Sequence, residues 1–336
     1  MASRPTVPIS IHNKPLDPHM QQPLAASQPV ALAAATTAAR RMRRAARTAA
    51  AVILLNLARC APADLLNATI PTGGLTISHD IAYGDEPREK LDIYRPAQAS
   101  GLPVVVFIYG GSWRTGSKAM YPFVAATMAR AGAVVVVPDY RLYPQVIYPA
   151  FLQDCARAVA WAQSHRAVIG SNGPLFLMGH SAGAYNAAMM GLDPEWLAAT
   201  GTPLADVAGV IGLAGPYDFL PITDPDIIPV FPDAGAATQP ITYAGPGKPP
   251  LLLLTGTDDR EVRPRNTLAL AAKMQAAHGQ VTVHTYKGIG HVGLITAIAP
   301  IFQWRAPVLR DVMAFIRSQT TFQGSAHVAK PSQPAT

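Results

Sequence analysis

Cysteine is scarce in this chain. Two in 336 residues, Cys60 and Cys155, cannot build a disulfide framework. Charge is scarce as well, at 14% of residues against 49% apolar, a balance expected of a sheet buried on both faces. Ligand spacing is missing: neither the two cysteines nor the nine histidines recur at the intervals that hold a metal ion. No metal and no cofactor are therefore expected. Internal repeats are also missing. The net charge of +7 looks basic but is uneven, because residues 1–70 hold eight Lys and Arg against two acidic residues. The rest of the chain is balanced to within one charge, which argues against a nucleic-acid surface.

The N-terminal segment reads separately. Residues 1–41 are rich in Pro, Ala, Gln and Ser without periodicity, which predicts disorder, or an extension upstream of a true start at Met42. Within 42–62, basic residues through Arg47 precede a short apolar run ending in Leu57-Ala-Arg-Cys60. This is similar to a bacterial lipoprotein signal and is too short for a spanning helix, which needs about 20 apolar residues. Arg59 departs from the small residue such a site requires. The expectation is export or attachment to the cell envelope, with membrane association through this segment; a cytoplasmic protein with a basic amphipathic helix is the alternative.

What the chain does have is a set of strand ends carrying reactive residues. The segment Leu175-Phe-Leu-Met-Gly179-His-Ser181-Ala-Gly183 is an apolar run, a Gly-x-Ser-x-Gly turn and then an Ala-rich helical pattern. Gly179 and Gly183 flank the serine where a Cβ would strike a neighbouring element, and the turn lifts Ser181 off the sheet edge. A serine hydroxyl is a poor nucleophile without a base and a group to orient that base. Downstream, Pro249-Pro-Leu-Leu-Leu-Leu-Thr-Gly256 reads as a buried strand ending at Asp258 and Asp259. The alternating strand Val281–Tyr286 leads to Gly290-His291-Val-Gly293, read as a glycine-flanked loop. One helix and one strand between them bring the carboxylate and the imidazole to adjacent strand ends. Asp258, Asp259 and Asp218 are all candidate acids on these grounds. A developing oxyanion also needs donors. The Ala182 amide at the helix start is one; the Gly-Gly turn after the apolar strand Pro103–Ile108, in Tyr109-Gly110-Gly111-Ser112-Trp113, offers others. The eight other histidines read as structural: His180 faces a neighbouring loop, His284 sits in a strand, and His79 and His165 have no evident partner.

Together with Pro138-Asp139-Tyr140-Arg141, these motifs resemble the α/β-hydrolase esterases. The branch is that of feruloyl-esterase-like, hormone-sensitive-lipase-like, prenylcysteine-methylesterase-like and kynurenine-formamidase-like proteins. The resemblance runs from about Leu75 to Ile316. It implies an α/β fold with a mostly parallel eight-stranded sheet, helices on both faces and a short lid insertion. It implies a serine carboxylic-ester hydrolase with the order Ser181, Asp259, His291, the frame Gly256-x-x-Asp259-x-x-Val262 favouring Asp259 over Asp258. It also implies an oxyanion hole from the amides of Ala182 and Gly111, with Gly110 or Ser112 nearby. Tyr109 stands where the family often has a histidine that braces this loop.

The catalytic domain is expected over 70–320, with strands at 76–83, 90–94, 104–109, 134–138, 175–178, 207–213, 251–255 and 281–286. The first two should pair antiparallel and the others run parallel. The last helix should end near Ser318, leaving a disordered tail over 321–336. The Pro-, Asp- and Gly-rich stretch 217–250 breaks the strand–helix rhythm and reads as the lid. Tyr217 and Phe219 from it, with Trp113, Tyr185 and Val292, are expected to line the pocket. The reading is hydrolysis of a small-molecule ester of small to medium size. An amidase or arylformamidase on the same residues, or a non-catalytic binding scaffold, are the alternatives. Acyl length, alcohol and oligomeric state are not legible.

Overall fold

Eight extended segments form one sheet in the computed structural model, which describes residues 62–328. They are β1 (Leu75–Ala82), β2 (Lys90–Pro96), β3 (Val104–Ile108), β4 (Val134–Pro138), β5 (Leu175–His180), β6 (Val207–Leu213), β7 (Leu251–Gly256) and β8 (Val281–Tyr286). The helices are α1 (Pro62–Asn67), α2 (Pro122–Arg130), α3 (Ala150–Ser164), α4 (Arg166–Ile169), α5 (Ala182–Leu192), α6 (Pro194–Ala198), α7 (Arg265–Ala276), α8 (His291–Thr296) and α9 (Val308–Val328). The expectations for 1–41, and for 42–62 apart from Pro62, lie outside the described residues.

The sheet order is β1-β2-β4-β3-β5-β6-β7-β8. The Val- and Leu-rich strands β3 to β7 are buried along their whole length, as strands covered by helices on both faces must be. The edge strands β1 and β8 carry exposed residues. Parallel pairing runs from β4 through β8. β2 is antiparallel to β4 as well as to β1. Only a short loop separates β2 from β3, too short for the crossover that parallel strands need, so β3 returns in the opposite direction, and β4 inserts between them.

This order places the topological switch between β3 and β5: β3 leads leftward to β4, and the chain then crosses to β5 on the other side. Ligands of open parallel sheets gather at the carboxyl ends of strands flanking such a point. Ile108 lies beside Gly179 in register, so the Tyr109–Trp113 loop and the Ser181 turn leave the sheet side by side. α5 beneath them is buried on every residue, as expected of a helix apolar all round.

Two boundaries are corrected. The folded region starts before residue 70: α1 packs Leu66 into the core, with Ile70 buried behind it. α9 continues to Val328, so the tail does not begin at 321. Its polar sequence misled, but no proline intervenes before Pro331, and the Thr320 and Thr321 hydroxyls satisfy themselves on the carbonyls of Ile316 and Arg317 inside the helix. The insertion 217–250 lies over the Ser181 cavity as expected of a lid, with Phe219, Ile222 and Ile227 among its lining residues, and it is packed down. Its short 3₁₀ turns drive Val230 and Phe231 into the core, where Phe231 meets Trp113 edge-on at 4.8 Å between ring centres. It forms a cavity wall.

Candidate active site

Ser181 has φ 55° and ψ −125°, a conformation a non-glycine residue adopts only under constraint. The constraint is visible: its N–H donates to the Leu213 carbonyl of β6 at 2.8 Å, while its own carbonyl accepts the first bonds of α5, from Ala184 and Tyr185. Both flanking glycines are needed. A Cβ on Gly179 would overlap the Gly183 carbonyl, and one on Gly183 would overlap the Ile108 carbonyl.

Asp259 and His291 meet, both nearly inaccessible. Asp259 Oδ2 lies 2.8 Å from His291 Nδ1. An ionised carboxylate can only accept, so Nδ1 carries the proton and Nε2 is left as a lone-pair acceptor. Asp259 Oδ1 accepts the amides of Glu261 (3.0 Å) and Val262 (2.9 Å), which fixes the carboxylate's orientation. His291 is not on a loop, as the sequence reading had it, but is the first residue of α8, capped by the extended Gly290. Asp258 is exposed and accepts the Thr257 hydroxyl at 2.7 Å. Asp218 is exposed, and its amide, not its carboxylate, is engaged, by Asn266 Oδ1.

Ser181 and His291 open onto one cavity of about 620 Å³, within the range of small-molecule sites. Ser181 Oγ makes no hydrogen bond to any described residue; such bonds commonly tighten only when substrate is seated. Ser112, Trp113 and Ala182 also line this cavity; Gly110 and Gly111, the two residues before Ser112 in the loop, do not. Gly110 backs directly onto the serine, since a Cβ there would come within 2.8 Å of Ser181 Cβ. The loop is strained in succession, with φ of 120° at Gly111, 54° at Ser112 and 57° at Trp113. The Ala182 N–H is one of the orphan donors at the start of α5, and the Gly111 and Ser112 amides find no acceptor among the described residues.

Tyr109 braces this loop in the way a histidine otherwise would. Its hydroxyl donates to Asp139 Oδ1 at 2.7 Å and accepts from Arg88 Nη2 at 2.8 Å. Tyr140 OH donates to the Tyr109 carbonyl at 2.9 Å, and Arg88 holds the Tyr140 and Gly116 carbonyls. Burial, aided by the Asp139 charge, pushes the Tyr109 phenol far above its ordinary pKa, so it stays a donor. Arg88 carried no motif by which the sequence could have marked it.

Three expected pocket residues do not line the cavity. Tyr185 is fully buried behind Trp113, its hydroxyl spent on the Thr238 carbonyl at 2.7 Å. Tyr217 is fully buried against Gly212 and Gly215, two residues whose missing side chains make room for its ring. Val292 is on the exposed side of α8. Trp113 and Phe219 do line it, with Pro216, Ile222, Ile227 and Val262. Unforeseen on the same wall are Asp224, Arg260, Glu261, Arg263, Arg265 and Asn266. Three arginines within six residues of a charge-poor chain was the available signal.

The Nδ1 edge of His180 faces Gly110 of the neighbouring loop, as expected. His180 lies buried under His291, with ring centres 4.7 Å apart and Nε2 positioned to donate to the His291 carbonyl at 3.3 Å. Burial, then repulsion from His291, lowers its pKa to about 3 from 6.5. Between those values the unfolded chain binds this proton and the folded one does not, so stability falls as pH falls through that window. At pH 5 the loss relative to neutral pH is about 2 kcal/mol. In urea unfolding at pH 7.5 and 5.0, His180→Gln should show a smaller acid-side loss than wild type by about that amount; equal losses would contradict a neutral buried imidazole. His79, expected to lack a partner, is bonded to Asp92 at 2.8 Å, and His165 stacks on Trp161.

The BD-FAE family model matches residues 91–274, more than half of the chain. The chain belongs to the BD-FAE family. It is 24% identical over 268 residues to the isoprenylcysteine alpha-carbonyl methylesterase of Arabidopsis thaliana, covering 72% of this chain and 62% of that protein. It is 34% identical over 145 residues to the kynurenine formamidase of Danio rerio, covering 43% of this chain and 47% of that one. It thus spans less than two thirds of these relatives' lengths. Esterase B from Lactobacillus rhamnosis (HN001) superposes with a TM-score of 0.68 at 18% identity, covering 84% of this chain and 98% of that one. The fold of this BD-FAE member is the α/β-hydrolase fold.

Proposed function

We propose that the chain hydrolyses carboxylic esters of small to medium size through an acyl-enzyme on Ser181. The observation that carries this is the buried Asp259–His291 pair, whose imidazole lines the same cavity as the strained Ser181. His291 Nε2 takes the Ser181 proton as Oγ attacks the ester carbonyl. Asp259 holds the tautomer and stabilises the imidazolium. Negative charge on the carbonyl oxygen is met by the Ala182 amide and, from the braced loop, the Gly111 or Ser112 amide. The imidazolium gives its proton to the departing alcohol. Water, deprotonated by the same imidazole, then cleaves the acyl-enzyme and restores the serine. None of these steps draws on a cofactor or metal.

The esterase names among the relatives and structural neighbours support this reading. An amidase acting on an aryl formamide would use the same groups; the formamidase likeness is partial and does not favour it over the ester reading. The stacked wall of Trp113 and Phe219, 6.2 Å between ring centres, with Phe231 behind it, limits the depth available to an acyl chain. A fluorophosphonate probe should label the protein once, with the adduct on the Ser181 peptide by mass spectrometry, and p-nitrophenyl butyrate should be cleaved. A folded protein that resists the probe and leaves the ester intact would favour a non-catalytic scaffold.

A further inference from the structure

We infer that the preferred ester carries a carboxylate, held by Arg260, Arg263 and Arg265; this rests on the ester-hydrolase reading of Ser181. The three guanidinium groups line the cavity that Ser181 and His291 share. All three residues are exposed, and none has a hydrogen-bond or ion-pair partner for its side chain among the described residues. Arg88, Arg114, Arg141 and Arg157, by contrast, are all engaged. Other exposed cations, such as Arg305 and Arg317, are also unpaired among the described residues; what sets Arg260, Arg263 and Arg265 apart is that all three line the cavity of Ser181 and His291.

Their placement does nothing for the fold. Arg265 is the first residue of α7, Arg263 lies two before it, and the first turn of that helix holds no acidic residue. Cations at a helix N-terminus oppose the macrodipole. Here the dipole and the guanidinium groups add to one positive potential on the cavity wall. A local arrangement that works against stability, next to reactive groups, marks a site kept for binding. Two carboxylates share the wall. Asp224 Oδ1 is taken by the Asp226 amide at 2.9 Å, and Glu261 reaches towards His291 Nε2 at 3.9 Å. The three guanidinium groups thus outnumber the carboxylates, and guanidinium recognises a carboxylate by paired N–H donors.

The test compares kcat/KM for neutral p-nitrophenyl butyrate with two carboxylated esters. One is p-nitrophenyl hydrogen succinate, charged on the acyl side; the other is 3-carboxy-4-nitrophenyl butyrate, charged on the leaving group. Wild type should prefer at least one of them over the neutral ester by about tenfold at low salt, with the preference shrinking in about 0.5 M NaCl. In the triple variant Arg260→Gln, Arg263→Gln, Arg265→Gln the ratio of charged to neutral kcat/KM should fall about tenfold. No preference in wild type, or an unchanged ratio in the variant, would overturn the inference while leaving ester hydrolysis standing. Failure to turn over any of the three esters, with Ser181 unlabelled by a fluorophosphonate, would remove the hydrolase reading and this inference with it.

Discussion

Asp259→Asn should lower kcat/KM for p-nitrophenyl butyrate by about 10⁴, or about 5.5 kcal/mol of transition-state stabilisation. The geometry explains why so small a change should do so much. Asp259 Oδ1 already accepts two backbone amides, from Glu261 and Val262. An asparagine keeps its carbonyl oxygen there and must turn its NH₂ towards His291 Nδ1. That donor can only meet a lone pair, so the imidazole proton moves to Nε2, and the base can no longer accept the serine proton. The loop itself should hold, because its amides stay satisfied. Asp258→Asn should change kcat/KM by less than about threefold, since that side chain is exposed and bonded only to the Thr257 hydroxyl. Steady-state kinetics of the two variants side by side decides the matter. A severe loss in Asp258→Asn, or a mild one in Asp259→Asn, would mean that the acid is misassigned.

The choice between these neighbouring aspartates shows where sequence reasoning was strong and where it ended. Apolar runs located β3 to β7 to within a few residues, because a strand buried on both faces has little freedom to be anything else; the edge strand β8 was legible from its alternation instead. The glycines around Ser181 were legible for a similar reason: the turn leaves no room for a Cβ on either side. Direction was harder. The antiparallel pairing of β2 with β4 depends on a loop length and on an insertion order that no local pattern encodes. Burial of aromatic residues was harder still. Tyr185 and Tyr217 lie close to the site along the chain, yet one points into the core through α5 and the other fills the space left by two glycines.

Charges that act across the fold carried least signal of all. His180 occupies the variable position of the Gly-x-Ser-x-Gly turn, and its place under His291 arises only when β5 and α8 are packed together. Arg88 reaches Tyr109 from the connection between β1 and β2. Tyr109 itself could be recognised as a departure from the expected histidine, but that its hydroxyl would find both Asp139 and Arg88 required coordinates. The arginines of 260–265 stand out only as a local excess in a charge-poor chain, a pattern that a solvated loop also produces.

Gly183→Ala should be among the most damaging single-methyl changes in the domain. A Cβ at this position would overlap the Ile108 carbonyl and come within 2.5 Å of the Tyr109 carbonyl. Neither side can give way. Ile108 is the last residue of the fully buried β3, and α5 is buried along its whole length. Overpacking against backbone of this kind should cost about 3 kcal/mol, a fall in Tm of roughly 6–12 °C for a domain of this size. Gly235→Ala is the control: its φ is −152° and nothing lies within 4 Å of the added methyl, so Tm should stay within about 1–2 °C. The consequence reaches the chemistry, because the contact that the methyl would break sets the separation between the Ser181 turn and the loop that begins at Tyr109. The Ala182 amide sits on one side of that contact and the Gly111 and Ser112 amides on the other. Moving them apart by about 1 Å should lower kcat by about 100-fold in whatever protein remains folded. Kinetics on the folded fraction below the new Tm separates the two effects. Unaltered Tm and turnover in Gly183→Ala would mean that α5 and β3 are not held in this close register, and that the donors for the oxyanion must be sought elsewhere.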